Sequence, residues 1–191
     1  TYVPIGTKLP EDRVRTLLSR CKLAALVADA QGSRSLPAVL RCPDAPPVIL
    51  APRPERRVRN AADRELIDLT ALPEAKPWPP LYEFQPDDLA YVMFTSGTTG
   101  VPKGVMISQA AAGAFVEMIG MRLALRPEDR TLEVTELGFD VSVLDMFATW
   151  QAGASLHPLP AVRVMNAVSF ARDARITVWS STPSLIALLR Q

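Results

Sequence analysis

An α/β fold, with a largely parallel sheet and helices packed on it, is what the sequence predicts. Three observations carry that prediction. Short apolar runs without polar alternation, such as Leu89 to Phe94, are the pattern of strands covered on both faces. Stretches with apolar residues at helical spacing alternate with such runs through the second half of the chain. Glycine, proline and hydroxyl residues fall between the two kinds of segment, where the turns of a parallel sheet belong. The chain has 191 residues, and a chain of that size buries roughly 70% of its unfolded surface, so a substantial core is expected.

Taken in order, Pro10-Glu11-Asp12 opens a helix with proline and acids in its first turn, and Val14, Leu17, Leu18 and Cys21 then share one face. Leu23 to Ala28 reads as a buried strand ended by Asp29 to Ser33, and Val48 to Ala51 as a second short strand. Between Pro37 and Pro80 lie ten of the 18 prolines and six arginines. Proline lacks the amide donor that regular elements use, so 37–80 is expected to be an irregular surface connection. Leu89 to Phe94 is a strand, a glycine-rich loop follows, and Ser108 caps a helix running to about Leu125. Leu132 to Val134 is a short strand, Ser142 to Gln151 a helix closed by Gly153, and Ala154 to Leu159 another strand. A short helix ends at Phe170 to Arg172, Ile176 to Trp179 is a strand, and Ser184 to Arg190 is helical.

Composition narrows the function classes. Lys and Arg total 21 against 20 acids, so charge gives no reason to expect nucleic acid or an anionic membrane as a partner. Cys21 and Cys42 form no CxxC and have no neighbouring histidine, which points to neither a metal site nor a disulfide framework and predicts a reduced, cytoplasmic setting. The longest apolar runs, such as Leu23 to Ala28, are far too short to cross a bilayer. Thr1 follows no leader and Gln191 closes a helical pattern without a cap, so the chain is read as a segment of a longer protein that does not catalyse by itself.

FTSGTTGVPKGV, Phe94 to Val105, has the chemistry of a phosphate-holding loop. Thr95, Ser96, Thr98 and Thr99 supply hydroxyl donors, Gly97 and Gly100 let successive amides converge on an anion, and Lys103 adds a point charge. Charge-assisted hydrogen bonds of this kind are about twice as strong as neutral ones. The plain alternative is a polar strand-to-helix turn in which threonines cap and glycines only permit the bend. A P-loop kinase is disfavoured, because Pro102 stands where that loop needs glycine and Gly104 where it needs Ser or Thr.

LAYVMFTSGTTGVPKGV, Leu89 to Val105, resembles the phosphate-loop signature of the adenylate-forming superfamily: acyl-CoA synthetases, luciferases and the adenylation domains of nonribosomal peptide synthetases. The resemblance implies a loop that closes over the pyrophosphate part of ATP while a carboxylate attacks the α-phosphorus. It implies ATP contacts from Thr95, Ser96, Gly97, Thr98, Thr99, Gly100 and Lys103, with Lys103 and Thr95 in the catalytic roles, and Mg²⁺ as the companion of ATP. Such chemistry is mainly positioning and charge stabilisation.

GFDVSVLDMF, Gly138 to Phe147, is the second informative stretch. From the residues alone, Asp140 could be a helix N-cap and Val143, Met146 and Phe147 core. The stretch is also similar to the FDxS motif of amino-acid-activating members, which implies that Asp140, beside Phe139, pairs with the substrate's α-ammonium group. A buried ammonium needs a compensating carboxylate, whereas a plain acyl substrate would leave that aspartate unpaired. TYVPIGTKLPEDRVRTLL resembles an early motif of peptide-synthetase domains, with Gly6 in place of the usual aspartate, and TVWSSTPSLIALL resembles the acyl-pocket strand and helix of D-alanine–carrier protein ligases. The resemblance implies that Val141, Leu144 and Ser180 line the pocket beside Asp140, suiting a small or apolar amino acid such as alanine. Taken singly, Val141 and Leu144 fit plain core packing equally well.

By this resemblance, residues 1–191 are part of the large N-terminal domain of such an enzyme, and the C-terminal domain with its catalytic lysine lies outside the chain. The implied partners are an amino acid and a peptidyl or acyl carrier protein bearing phosphopantetheine, with an MbtH-like protein as a further one. The rival readings are an acyl- or aryl-acid CoA ligase and a non-catalytic interaction scaffold. His157, the only histidine, reads as a surface or packing residue, the arginines at 53, 56, 57 and 59 as a solvated face, and Trp150 and Trp179 as core.

Overall fold

The computed structural model describes residues 1–54, 64–72, 83–95 and 102–189. Two compact units make up the chain: one contains Ile5–Glu83 and Phe94–Val105, the other Thr1–Pro4, Phe84–Met93 and Met106–Gln191.

In the first unit, α1 (Glu11–Cys21) begins directly after Pro10 and buries Val14, Leu17 and Leu18. Glu11 and Asp12 in its first turn and Arg20 in its last oppose the helix dipole. The helix stops because Lys22 is left-handed (φ 45°) and turns its amide back to the Leu18 carbonyl. Three short strands follow, β1 (Ala25–Val27), β2 (Val48–Ala51) and β3 (Glu65–Asp68), all parallel with β2 central. Ile49 and Ala51 of β2 are fully buried with Leu36, the first residue of α2 (Leu36–Val39). Val39 and Cys42 join Val14 and Leu18 in a second cluster.

Within the stretch 37–80 the described residues hold, besides the expected β2, one strand the sequence did not show. β2 and β3 both lie in it, and β2 is the central strand of a sheet. The prolines flank the strands instead of interrupting them: Pro47 precedes β2 and lends its carbonyl to the Glu65 amide at 2.8 Å. Only four residues long, β3 has too brief a pattern, ELID, to be read as a strand from sequence. Arg53 is held by its amide on Asp68 Oδ1 at 2.8 Å, while Arg56, Arg57 and Arg59 lie outside the described residues.

In the second unit, β6 (Arg130–Glu133) is the central strand, parallel to β7 (Ser155–Pro158) on one side and β8 (Val178–Trp179) on the other. Leu132, opposite His157 and Trp179, is fully buried. The long helix α3 (Gln109–Leu123) starts where expected: the Ser108 hydroxyl accepts from the Ala111 amide at 3.2 Å. Gly153, at φ 71°, supplies the left-handed turn into β7. The chain between is helical from α4 (Val141–Val143) through a π turn (Leu144–Ala148) to α5 (Thr149–Gln151). Further on come α6 (Ala167–Asp173) and α7 (Pro183–Leu189); Arg190 lies outside the described residues. Among the described residues, no helix is long and apolar enough to cross a membrane.

Candidate functional site

The glycine-rich loop joins two strands. β4 (Leu89–Thr95) enters it and β5 (Lys103–Ser108), which pairs with β4, leaves it before α3 begins. The expected strand-to-helix connection is therefore a strand pair followed by the helix. Lys103-Gly104 at the head of β5 hid that strand, although Val105 and Ile107 alternate as a strand requires. Ser96, Gly97, Thr98, Thr99 and Gly100 lie outside the described residues. Thr95 and Lys103 stand across the loop's neck, the Thr95 hydroxyl 3.5 Å from the Lys103 carbonyl, and both side chains are exposed. The end of the loop is pinned by a residue the sequence reading missed: Arg20 of α1 donates through Nη1 to the carbonyl of buried Pro102 at 2.8 Å. A charged donor on the carbonyl next to Lys103 limits the positions that lysine can take. If the loop holds ATP, as the sequence resemblance implies, Arg20→Ala in the full-length protein should raise the KM for ATP about 3- to 10-fold, the equivalent of one hydrogen bond, with little change in the KM for the second substrate. Steady-state kinetics with each substrate varied checks this.

Phe139, Asp140 and Val141 precede and open α4 in the other unit. Phe139 is 62% exposed, Asp140 is exposed, Val141 lies at the edge of exposure, and Leu144 and Ser180 are half-buried. Asp140 does not cap the helix, which corrects the N-cap alternative: its backbone is already helical (φ −63°, ψ −25°), and its carboxylate has no hydrogen-bond or ion-pair partner among the described residues. Ser142 holds the helix entrance instead, donating to the Phe139 carbonyl at 2.6 Å from a fully buried position. Asp140 still acts at a distance. The Tyr91 hydroxyl on β4 is pushed above its ordinary pKa, first by burial and then by the charge of Asp140.

Tyr91 also lines a cavity of about 660 Å³ whose walls include Tyr2, Val116, Phe147 and Trp150. Tyr2 stacks at a tilt on Tyr91 (5.6 Å between centroids), and Phe147 meets Trp150 edge-on at 5.5 Å. Trp150 is 53% exposed, so it is no core residue, and Phe147 is exposed as well; the π turn carries Phe147 and α5 carries Trp150 to this cavity, beyond what helical spacing alone could tell. Asp140, Val141, Leu144 and Ser180 are not among the cavity's lining residues.

Two further residues escaped the sequence reading. Asp145 in the π turn is fully buried, both its carboxylate oxygens lack a hydrogen-bond partner among the described residues, and burial together with the charge of Glu133 raises its pKa to about 7. Glu133 of β6 is 8% exposed, has its Oε1 unpartnered, and is likewise raised by burial. The available signal was an acid inside an apolar helical stretch, VLDMF, and another at the end of a central strand. His157 is half-buried with Nε2 2.9 Å from the Ser155 hydroxyl, as befits a packing residue.

Comparison with known proteins bears on these features. An L-proline–[L-prolyl-carrier protein] ligase of Pseudomonas fluorescens is 39% identical over 115 residues, covering 59% of this chain and 23% of that protein. Its namesake from Streptomyces coelicolor is 32% identical over 200 residues, covering 98% of this chain and 36% of that protein. The crystal structure of IdnL7 superposes with a TM-score of 0.81 at 30% identity, over 98% of this chain and 36% of that one. The chain thus spans about a quarter to a third of the length of these relatives. The family model described as AMP-binding enzyme matches residues 1–191, the whole of the sequence, and the chain belongs to that family.

Proposed function

We propose that the full-length protein activates an amino acid and loads it onto a carrier protein. In the first step a carboxylate oxygen of the amino acid attacks the α-phosphorus of ATP and pyrophosphate leaves, giving aminoacyl-AMP. In the second the phosphopantetheine thiolate of the carrier attacks the acyl carbon and AMP leaves. The observation that carries this reading is the Asp140 carboxylate, which has no partner among the described residues and stands at the entrance of α4 within an FDVS sequence. An α-ammonium group is the ligand such a carboxylate fits, and the carrier-protein ligases among the relatives agree with the second step.

In this proposal Thr95, Lys103 and the loop residues between them hold the phosphates. Phe139, Val141, Leu144 and Ser180 surround the side chain of a small or apolar amino acid, such as alanine. Among the described residues no three His, Cys, Asp or Glu side chains converge on a metal site; magnesium is taken to arrive with ATP, whose phosphate oxygens suit it. An MbtH-like protein is a further proposed partner.

The test is ATP–pyrophosphate exchange by the full-length protein over a panel of amino acids and their des-amino counterparts. Exchange driven by an amino acid and not by the matching des-amino acid is expected. Exchange driven equally by both would replace this reading with an acyl- or aryl-CoA ligase, and none with any acid would leave a non-catalytic scaffold.

A further inference from the structure

Behind α4 and α5 a buried polar seam joins the helix to β6. Thr131 and Glu133 are two residues apart on β6 and so share one face. Asp145 and Thr149 are four apart on the helical segment. All four are buried. The two threonines satisfy each other, Thr149 Oγ1 donating to Thr131 Oγ1 at 2.8 Å. The two acids do not: both oxygens of Asp145 and one of Glu133 have no hydrogen-bond partner among the described residues. The chain between Asp145 and Thr149 is the π turn, a geometry that costs helical regularity and recurs at functional sites. Asp140 and Val141 stand just before it and Leu144 is its first residue.

We propose that Asp145 is a positioning residue: uncharged, it lets the π turn close on β6 and so fixes Asp140, Val141 and Leu144 for the amino acid. This rests on the adenylation reading for its substrate, though not for its conformational part. Ionised, the same carboxylate draws water into the seam and the turn loosens, because a charge without a partner is not kept in an apolar interior. Among the described residues no neighbouring cation counters it. The elements packed on the π turn are β6, α3, α4 and α5. α4 and α5 have no titratable group, Glu117 and Arg122 of α3 are exposed, and Arg130 of β6 is engaged through Nε with the Ala174 carbonyl at 2.7 Å. Glu133 remains, and its charge opposes ionisation of Asp145.

The experiment uses the full-length protein with wild-type sequence, Asp145→Asn and Glu133→Gln. Amino-acid KM, ATP KM and kcat are measured in pyrophosphate exchange from pH 6 to 9, and amide hydrogen exchange of residues 141–151 is followed at pH 6 and 8 after correction for intrinsic rates. Expected for wild type is an amino-acid KM that rises about 10-fold across neutrality while the ATP KM stays level, with faster amide exchange in 141–151 at pH 8. Asp145→Asn should keep the low KM and the protection at every pH, and Glu133→Gln should move the inflection to lower pH. An Asp145→Asn protein whose KM follows the wild-type profile, or rises equally at all pH values, overturns the proposal. If no amino acid supports exchange, the adenylation reading fails, and unchanged amide protection between pH 6 and 8 in wild type then overturns the role of Asp145 as well.

Discussion

Asp140→Ala in the full-length protein is expected to lower kcat/KM for amino-acid-dependent pyrophosphate exchange by at least about 100-fold while leaving the unfolding temperature within a degree or two. The magnitude follows from what the substrate loses. A hydrogen bond to a charged group contributes about 1.5–3 kcal/mol, and breaking one partner of a buried pair costs about 3–5 kcal/mol, because the other charge stays desolvated. Here the orphan would be the α-ammonium group, which pays that cost in the adenylation transition state as well as on binding. Stability should hardly change, since Asp140 is exposed and caps nothing. Asp140→Asn should retain part of the activity, keeping the acceptor oxygen and losing the charge. Pyrophosphate exchange and a thermal melt on the same samples check both halves. Unaltered exchange would remove Asp140 from the site, and a large fall in melting temperature would give it a structural role instead.

The second large effect is on stability against pH, and it comes from Asp145. In the folded chain its carboxyl is raised from 3.8 to about 7 by burial and by Glu133. A carboxyl raised on folding keeps a proton in the native state that the unfolded chain has already released. Stability contributed by neutral Asp145 is therefore full below about pH 4, declines as pH rises through the interval up to about 7, and is lost above it. At about 1.4 kcal/mol per pKa unit, a shift of some three units sets a ceiling on the order of 4 kcal/mol. Glu133, raised by burial too, adds a slope of the same sign. Asp145→Asn removes the larger part. Its melting temperature should equal that of wild type at or below about pH 4, draw ahead as pH rises toward about 7, and exceed it by several degrees near pH 8. Parallel curves for the two proteins would show that Asp145 is ionised throughout.

Much of the fold was legible in the sequence where a local rule decides it. Val14, Leu17 and Leu18 repeat at helical spacing and are the buried face of α1. Ser108 caps α3 and Gly153 makes the left-handed turn, because each does so through its own chemistry and within a few residues of chain. β2 was found to the residue, since VILA is apolar throughout. β3 and β5 were not. Their stability comes from neighbours distant in sequence, and ELID and KGVMIS hold polar residues or glycine that a local reading assigns to a loop.

The candidate site divides in the same way. Lys103, Thr95 and Asp140 were legible as candidates, because the phosphate and ammonium groups proposed for them dictate which side chains can meet them. Arg20 was not: nothing in TLLSRC tells that its guanidinium reaches a carbonyl 82 residues away in the chain. Nor does FDVSVLDMF tell which of its two aspartates is exposed. Asp140 and Asp145 have the same chemistry and lie five residues apart, yet one meets solvent and the other faces β6 in the interior. What the sequence determined alone is the chemistry on offer: a hydroxyl- and glycine-rich loop with a lysine, a carboxylate in an FDVS stretch, and the alternating strands and helices that hold them. The protonation of each acid, the anchoring of the loop and the π turn in the helix were decided only by the tertiary structure, because burial and long-range contacts, which set a charge's cost and a backbone's freedom, exist only once the chain has folded.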